Sequence, residues 1–86
     1  MFPNDRLKRI LYRARHRGMQ ETDWLLGRFA ERRLEGLSPG HLDLFERLLE
    51  VPDNDLFDWI TEKRPAPAEF DHDVLGMLKD FARKRS

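Results

Sequence analysis

Apolar residues recur along this chain at intervals of three and four, the spacing that puts them on one side of an α-helix. Leu7, Ile10, Leu11 and Ala14 form the first such stripe, and Leu25, Leu26, Phe29, Ala30 and Leu34 the second. Leu42, Phe45, Leu48 and Leu49 form a third. Leu56, Phe57, Trp59 and Ile60 make a short fourth, and Phe70, Val74, Met77, Leu78 and Phe81 a fifth. Strand-like alternation is absent and β-branched residues are scarce. The pattern predicts an all-α chain of five short helices. They are expected to form one domain over residues 1–86, packed as an orthogonal or irregular bundle. No self-similarity at the period of a helical-pair repeat supports a solenoid.

The punctuation between the stripes agrees with this reading. Asn4, or the position just after Pro3, is a good start for the first helix. Gly18 suits the residue just past its end, because glycine tolerates a left-handed backbone. The second helix is expected to start between Met19 and Thr22 and to stop at Gly36. Gly27 lies inside it at a cost of about 1 kcal/mol relative to alanine, which suggests a close approach by another helix. Ser38 as cap and Pro39 at the first helical position open the third helix, with Leu37 placed to staple onto Leu42. Pro52 closes it, and Asp53 or Asn54 is expected to cap the fourth. The connector "RPAPAEF", residues 64–70, forbids continuous helix. The basic end Arg83-Lys84-Arg85 is expected to fray. Trp59, beside Leu56 and Ile60, reads as core. Trp24 falls on the polar side of the second helix, where contact with a partner is more plausible.

Composition narrows the chemistry. Eighty-six residues leave little room for a deep cavity. The absence of cysteine excludes disulfides, thiolate metal sites and cysteine nucleophiles. His16, His41 and His72 have no metal-binding spacing. No apolar run approaches the ~18 residues that span a bilayer, and the N-terminus carries no apolar signal core. A cytoplasmic protein with no membrane association is therefore expected, and a monomer. The acidic group Asp53, Asp55, Asp58 and Glu62 reads as a solvated, cap-rich face.

Net charge is zero, but its distribution is uneven. Residues 1–17 hold six Lys/Arg against one Asp, and residues 18–80 hold seven basic against fifteen acidic side chains. Either the basic first helix lies against the acidic body, or it presents a surface to a charged partner. Arg6, Lys8, Arg9, Arg13, Arg15 and Arg17 would suit nucleic acid in isolation. The neutral whole, with no recognition helix or stacking platform, argues against it.

The stretch "RGMQE", residues 17–21, joins the first two helices. Local physics accounts for a glycine at a helix end and for Glu21 at the positive end of the next helix. The same residues, however, carry a resemblance. Residues 16–60 resemble the SdhE family, also called succinate dehydrogenase assembly factor 2, whose hallmark is an RGxxE motif between its first two helices. Here those positions are Arg17, Gly18 and Glu21. The segment "LLEVPDNDLFDWI", residues 48–60, supplies a second match, and the first helix and the "PAPAEF" connector also fit. The run "LLGRFAERRLEGLS" and the short N-terminus favour a bacterial member.

The resemblance implies a five-helix protein that is not itself an enzyme. Such proteins promote covalent attachment of FAD to a histidine of the succinate dehydrogenase flavoprotein subunit, and some act on the related fumarate reductase flavoprotein. The expected cofactor relation follows: no FAD held stably by the chain itself, and action on the FAD of the partner. It also implies that Arg17, Gly18 and Glu21 dock on that flavoprotein near its flavin. Arg13, His16 and Trp24 lie beside the motif and join the expected contact surface. His16 also reads as an ordinary exposed helix-end histidine. The competing readings are a generic helical interaction module and a small nucleic-acid-binding protein using the first helix.

Overall fold

The computed structural model describes residues 4–85, and within them the chain is helical with no strand. The five helices are α1 (Asp5–Arg15), α2 (Gln20–Arg33), α3 (Pro39–Leu48), α4 (Asp53–Ile60) and α5 (Asp73–Arg85). One-turn 3-10 segments follow α2 at Leu34–Gly36 and precede α5 at Ala68–Phe70. The all-α, five-helix expectation is borne out.

Local capping chemistry fixes two of the starts. The Asn4 side chain accepts from the Leu7 N–H at 2.8 Å, and Ser38 Oγ accepts from the His41 N–H at 3.2 Å. At α5 the cap is His72, whose Nδ1 accepts from the Leu75 N–H at 3.3 Å. Its buried Nε2 has no partner among the described residues. Burial lowers the pKa of this imidazole, which favours the neutral form in which Nδ1 can accept.

Other boundaries differ from the sequence pattern. Pro52, not Asp53 or Asn54, is the cap residue of α4, so Asp53 opens the helix and its carboxylate is free for another use. Phe70 stands outside α5 and lays its ring against Trp59, with centroids 5.3 Å apart. Helix α5 continues through Arg83 and Lys84 to Arg85, where fraying was expected. The end of α4 is closed by a left-handed residue that is not glycine. Glu62 has φ 64°, its N–H bonds Trp59 O at 3.2 Å, and the Lys63 N–H bonds Asp58 O at 2.8 Å. That pair of bonds is the Schellman closure.

All five helices contribute to one contiguous apolar core. Helix α1 packs mainly on α2, while α5 packs against α2, α3 and α4. Phe29 lies near the centre, with Phe45 at 5.6 Å and Phe81 at 5.7 Å between ring centroids. Trp59 is buried as expected. Leu75 and Thr22 are also fully buried, although neither belongs to an expected stripe. The Thr22 hydroxyl donates to Met19 O at 3.0 Å, which satisfies it locally. Gly27 does mark a close approach: a Cβ there would meet Arg15 Cγ at 3.0 Å. The missing side chain lets α1 lie tightly along α2.

Candidate functional site: the elbow between the first two helices

Five residues, 16–19 and the first of α2, turn the chain between α1 and α2. His16 is the last cap position of α1, and Gly18 adopts φ +113°, a conformation side chains disfavour. A Cβ at Gly18 would lie 3.7 Å from the Asp53 carboxylate, an ordinary contact. The demand for glycine here therefore comes from the backbone, not from crowding.

Arg17 is held from both its ends. Its backbone N–H donates to Asp23 Oδ1 at 2.6 Å, and the Gly18 N–H reaches the same oxygen at 3.2 Å. The Arg17 side chain is only 8% exposed. Its Nε donates to Asp53 Oδ1 at 2.6 Å, and its two terminal nitrogens donate to the carbonyls of Leu49 and Val51. A planar guanidinium can satisfy three acceptors in this way, where an ammonium cannot match the fork. The cation bonds to two carbonyls just past the end of α3, those of Leu49 and Val51, and to the first carboxylate of α4. It fastens the elbow to the turn between those helices, more than thirty residues away.

Glu21 sits one position into α2, exposed, and its carboxylate has no hydrogen bond or ion pair among the described residues. The carboxylate that braces the elbow is Asp23, a residue the sequence reading passed over. The signal for it was weak: an acidic residue in the first turns of a helix reads as dipole complementarity. Asp53 was expected in a solvated acidic face, yet it is half-buried under Arg17. Asp55 and Asp58 of that group are bridged by Arg64 at 2.5 and 3.0 Å.

Trp24 is 39% exposed and stands one turn beyond Glu21. The Arg28 guanidinium lies 5.5 Å from its ring centroid. Open hollows flank the indole on both sides. One, about 500 Å³, runs past Gly18, Gln20 and Arg28. The other, about 470 Å³, is bordered by Glu21, Leu25 and Phe57. Gly18, Glu21 and Trp24 thus share one outward surface. Arg13 and His16 do not border either hollow; they belong to the outer side of α1, where Tyr12 stacks on His16 with centroids 4.2 Å apart. The six expected site residues therefore fall into three places: Arg17 inside, Gly18, Glu21 and Trp24 beside the hollows, and Arg13 and His16 along the outer side of α1 and its C-cap.

The arrangement suits binding. Among the described residues no group of three or more His, Asp or Glu could hold a metal ion, and no helix is long and apolar enough to cross a membrane.

Comparison with known proteins gives the context. A family profile described as "Flavinator of succinate dehydrogenase" matches residues 8–82. A protein of Mycosarcoma maydis named "Succinate dehydrogenase assembly factor 2, mitochondrial" is 45% identical over 67 residues, covering 78% of this chain and 28% of that protein. One of the same name from Aedes aegypti is 39% identical over 77 residues, covering 87% and 48%. Another, from Dictyostelium discoideum, is 40% identical over 76 residues, covering 88% and 54%. The chain thus spans about half the length, or less, of these relatives. Their names also correct one expectation. The similar proteins are mitochondrial and eukaryotic, which overturns the bacterial, cytoplasmic reading. That reading leaned on the run "LLGRFAERRLEGLS", on the lack of an apolar signal core or spanning run, and on where the chain begins; a chain matching only part of its relatives says nothing about the last.

Proposed function

The chain belongs to the family of succinate dehydrogenase flavinators, an assembly-factor family and not a group of catalysts, and from that premise we propose that it docks on the flavoprotein subunit of succinate dehydrogenase through the α1–α2 elbow. Docking promotes covalent attachment of FAD to a histidine of that subunit. The fumarate reductase flavoprotein is a second candidate target.

The chemistry needs little from the helper. A bond forms between an imidazole nitrogen of the partner and the flavin 8α carbon. The 8α proton and the imidazole N–H proton both leave to bases of the flavoprotein or to water, and the electron pair of the broken C–H bond is taken up by the flavin ring, which is left reduced. Flavin and flavoprotein supply every reacting atom. A small protein can accelerate such a step by stabilising the partner conformation in which those atoms meet. The chain requires a shaped docking face and no stable FAD site of its own.

The observation that supports this reading most is the division of labour at the elbow. Arg17, Asp23 and Asp53 hold its shape from within, while Glu21 and Trp24 stay exposed beside it. Glu21 is then available to accept hydrogen bonds from a partner, and Gly18 lets that partner approach the backbone closely. Co-expression of the chain with a succinate dehydrogenase flavoprotein tests the proposal. Flavin fluorescence of the flavoprotein band on a denaturing gel reads covalent FAD. The wild-type chain should raise that signal, and Glu21→Gln should lose most of the increase while keeping the wild-type unfolding midpoint. A signal indifferent to the chain, or fully supported by Glu21→Gln, would sink the assignment.

A further inference from the structure

The cations of the first seventeen residues divide by partner. Arg6 is paired with Asp43 and Glu46, both at 2.6 Å, Arg15 with Glu31, and Arg17 with Asp53. These ties bind the basic helix to the acidic body. Lys8, Arg9 and Arg13 have no carboxylate partner among the described residues, and all three are exposed. Helical spacing places them on the side of α1 opposite the buried Leu7, Ile10 and Ala14. Asp5 shares that side only at the first turn, where it complements the helix dipole.

Tyr12 lies among these cations and is 65% exposed, the highest exposure of any large apolar side chain described. It forms a shallow hollow of about 340 Å³ with the stems of Lys8, Arg9 and Arg13. Its stacking on His16 carries the same face up to the elbow. Arg9 and Arg13 stand at i,i+4, where like charges weaken a helix. Arg13 also complements the C-terminal end of the α1 dipole, but nothing described offsets Lys8 and Arg9, and a tyrosine ringed by cations is well shaped for an acidic surface.

We propose that the outer face of α1, formed by Lys8, Arg9, Tyr12 and Arg13, is a second docking surface that captures an acidic patch on the same flavoprotein the elbow engages. The proposal rests on the function proposed above. A protein patch fits better than other anions. Three cations make few phosphate contacts, and the acidic excess of residues 18–80 repels a nucleic-acid backbone. A lipid surface would receive only those charges, because the apolar side of α1 is already buried in the core. The charges act mainly on encounter, drawing the flavoprotein in before the elbow engages.

Binding kinetics on immobilised succinate dehydrogenase flavoprotein test this. The triple variant Lys8→Gln, Arg9→Gln, Arg13→Gln should associate about tenfold more slowly at low ionic strength, with dissociation changed less than about twofold. The difference should vanish at about 0.5 M salt, where screening is nearly complete. Tyr12→Ala should instead speed dissociation several-fold. If the wild type binds and the triple variant matches it at every salt concentration, the second surface is refuted while the elbow reading stands. If the wild type does not bind, both fall. Parallel runs with single-stranded RNA and with phosphatidylserine vesicles complete the test. Tight wild-type binding there that the triple variant loses, with flavoprotein binding unaffected, would assign the face to that anion and overturn the proposal.

Discussion

Two turns in this molecule are braced by an arginine, and they differ in almost every physical respect. At the α1–α2 elbow, Arg17 is 8% exposed and bonds two backbone carbonyls as well as Asp53. At the end of α4, Arg64 is 51% exposed and clips Asp55 and Asp58 of its own neighbourhood. Each turn also contains a left-handed residue, Gly18 in the first and Glu62 in the second. The buried brace joins segments distant in sequence and answers carbonyls that would otherwise lack partners. The exposed brace joins residues already held by the helix between them. The same residue type is therefore a latch at one turn and an ornament of charge at the other. Burial and the reach of the contact decide which.

The contrast can be broken most severely at Arg17. Arg17→Ala leaves Asp53 and two carbonyls without their donor, and should cost about 3 kcal/mol of stability. Urea unfolding with a two-state fit reads this directly. A midpoint equal to wild type would remove the latch from the account. If the proposed function holds, Arg17 variants should then lose support of flavinylation through the fold, whereas Glu21→Gln should lose it with stability unchanged.

The two left-handed positions offer the next test. Gly18→Ala forces a side chain onto φ +113° and should destabilise by about 2 kcal/mol. Glu62→Gly relieves the opposite mismatch and should stabilise by up to about 1 kcal/mol, the left-handed penalty less the entropy glycine adds to the unfolded chain. Thermal melts of both variants should move in opposite directions. Shifts of the same sign would mean that tertiary contacts, not backbone preference, dominate at these turns.

Arg64→Ala should show the smallest effect. Its hydrogen bonds to Asp55 and Asp58 raise the guanidinium pKa further above its already high value, so it stays charged at every accessible pH. The pair is solvated, however, and exposed ion pairs contribute little. The melting temperature of this variant should approach wild type as salt is raised. A large, salt-independent loss would place Arg64 in the same class as Arg17.

Much of the architecture was legible in the chain. The stripes at three and four residue intervals named five helices, and Asn4, Ser38 and Pro39 marked two starts correctly because capping is a contact over three residues. Trp59 as core and Trp24 as exposed followed from the first joining an apolar stripe and the second falling on a polar side. Gly27 pointed to the close packing of α1 on α2. The tail was misread because composition suggested fraying, while Leu78 and Phe81 give the last turns of α5 a purchase on the core. Glu62 gave no signal, since a left-handed closure is usually announced by glycine.

The sequence by itself determined where helices could start, which faces they bury, and which stretch makes the elbow. All of these follow from interactions within a few residues. It could not divide the cations of α1 into those tied to the body and those left outside, nor reveal that Asp23 and Asp53 hold Arg17. Those outcomes depend on residues six to forty positions apart meeting in space. A charge declares nothing about its partner until the packing of the helices brings one within reach. At the elbow, tertiary structure turned a surface arginine of the sequence into a buried latch, and left Glu21 facing out.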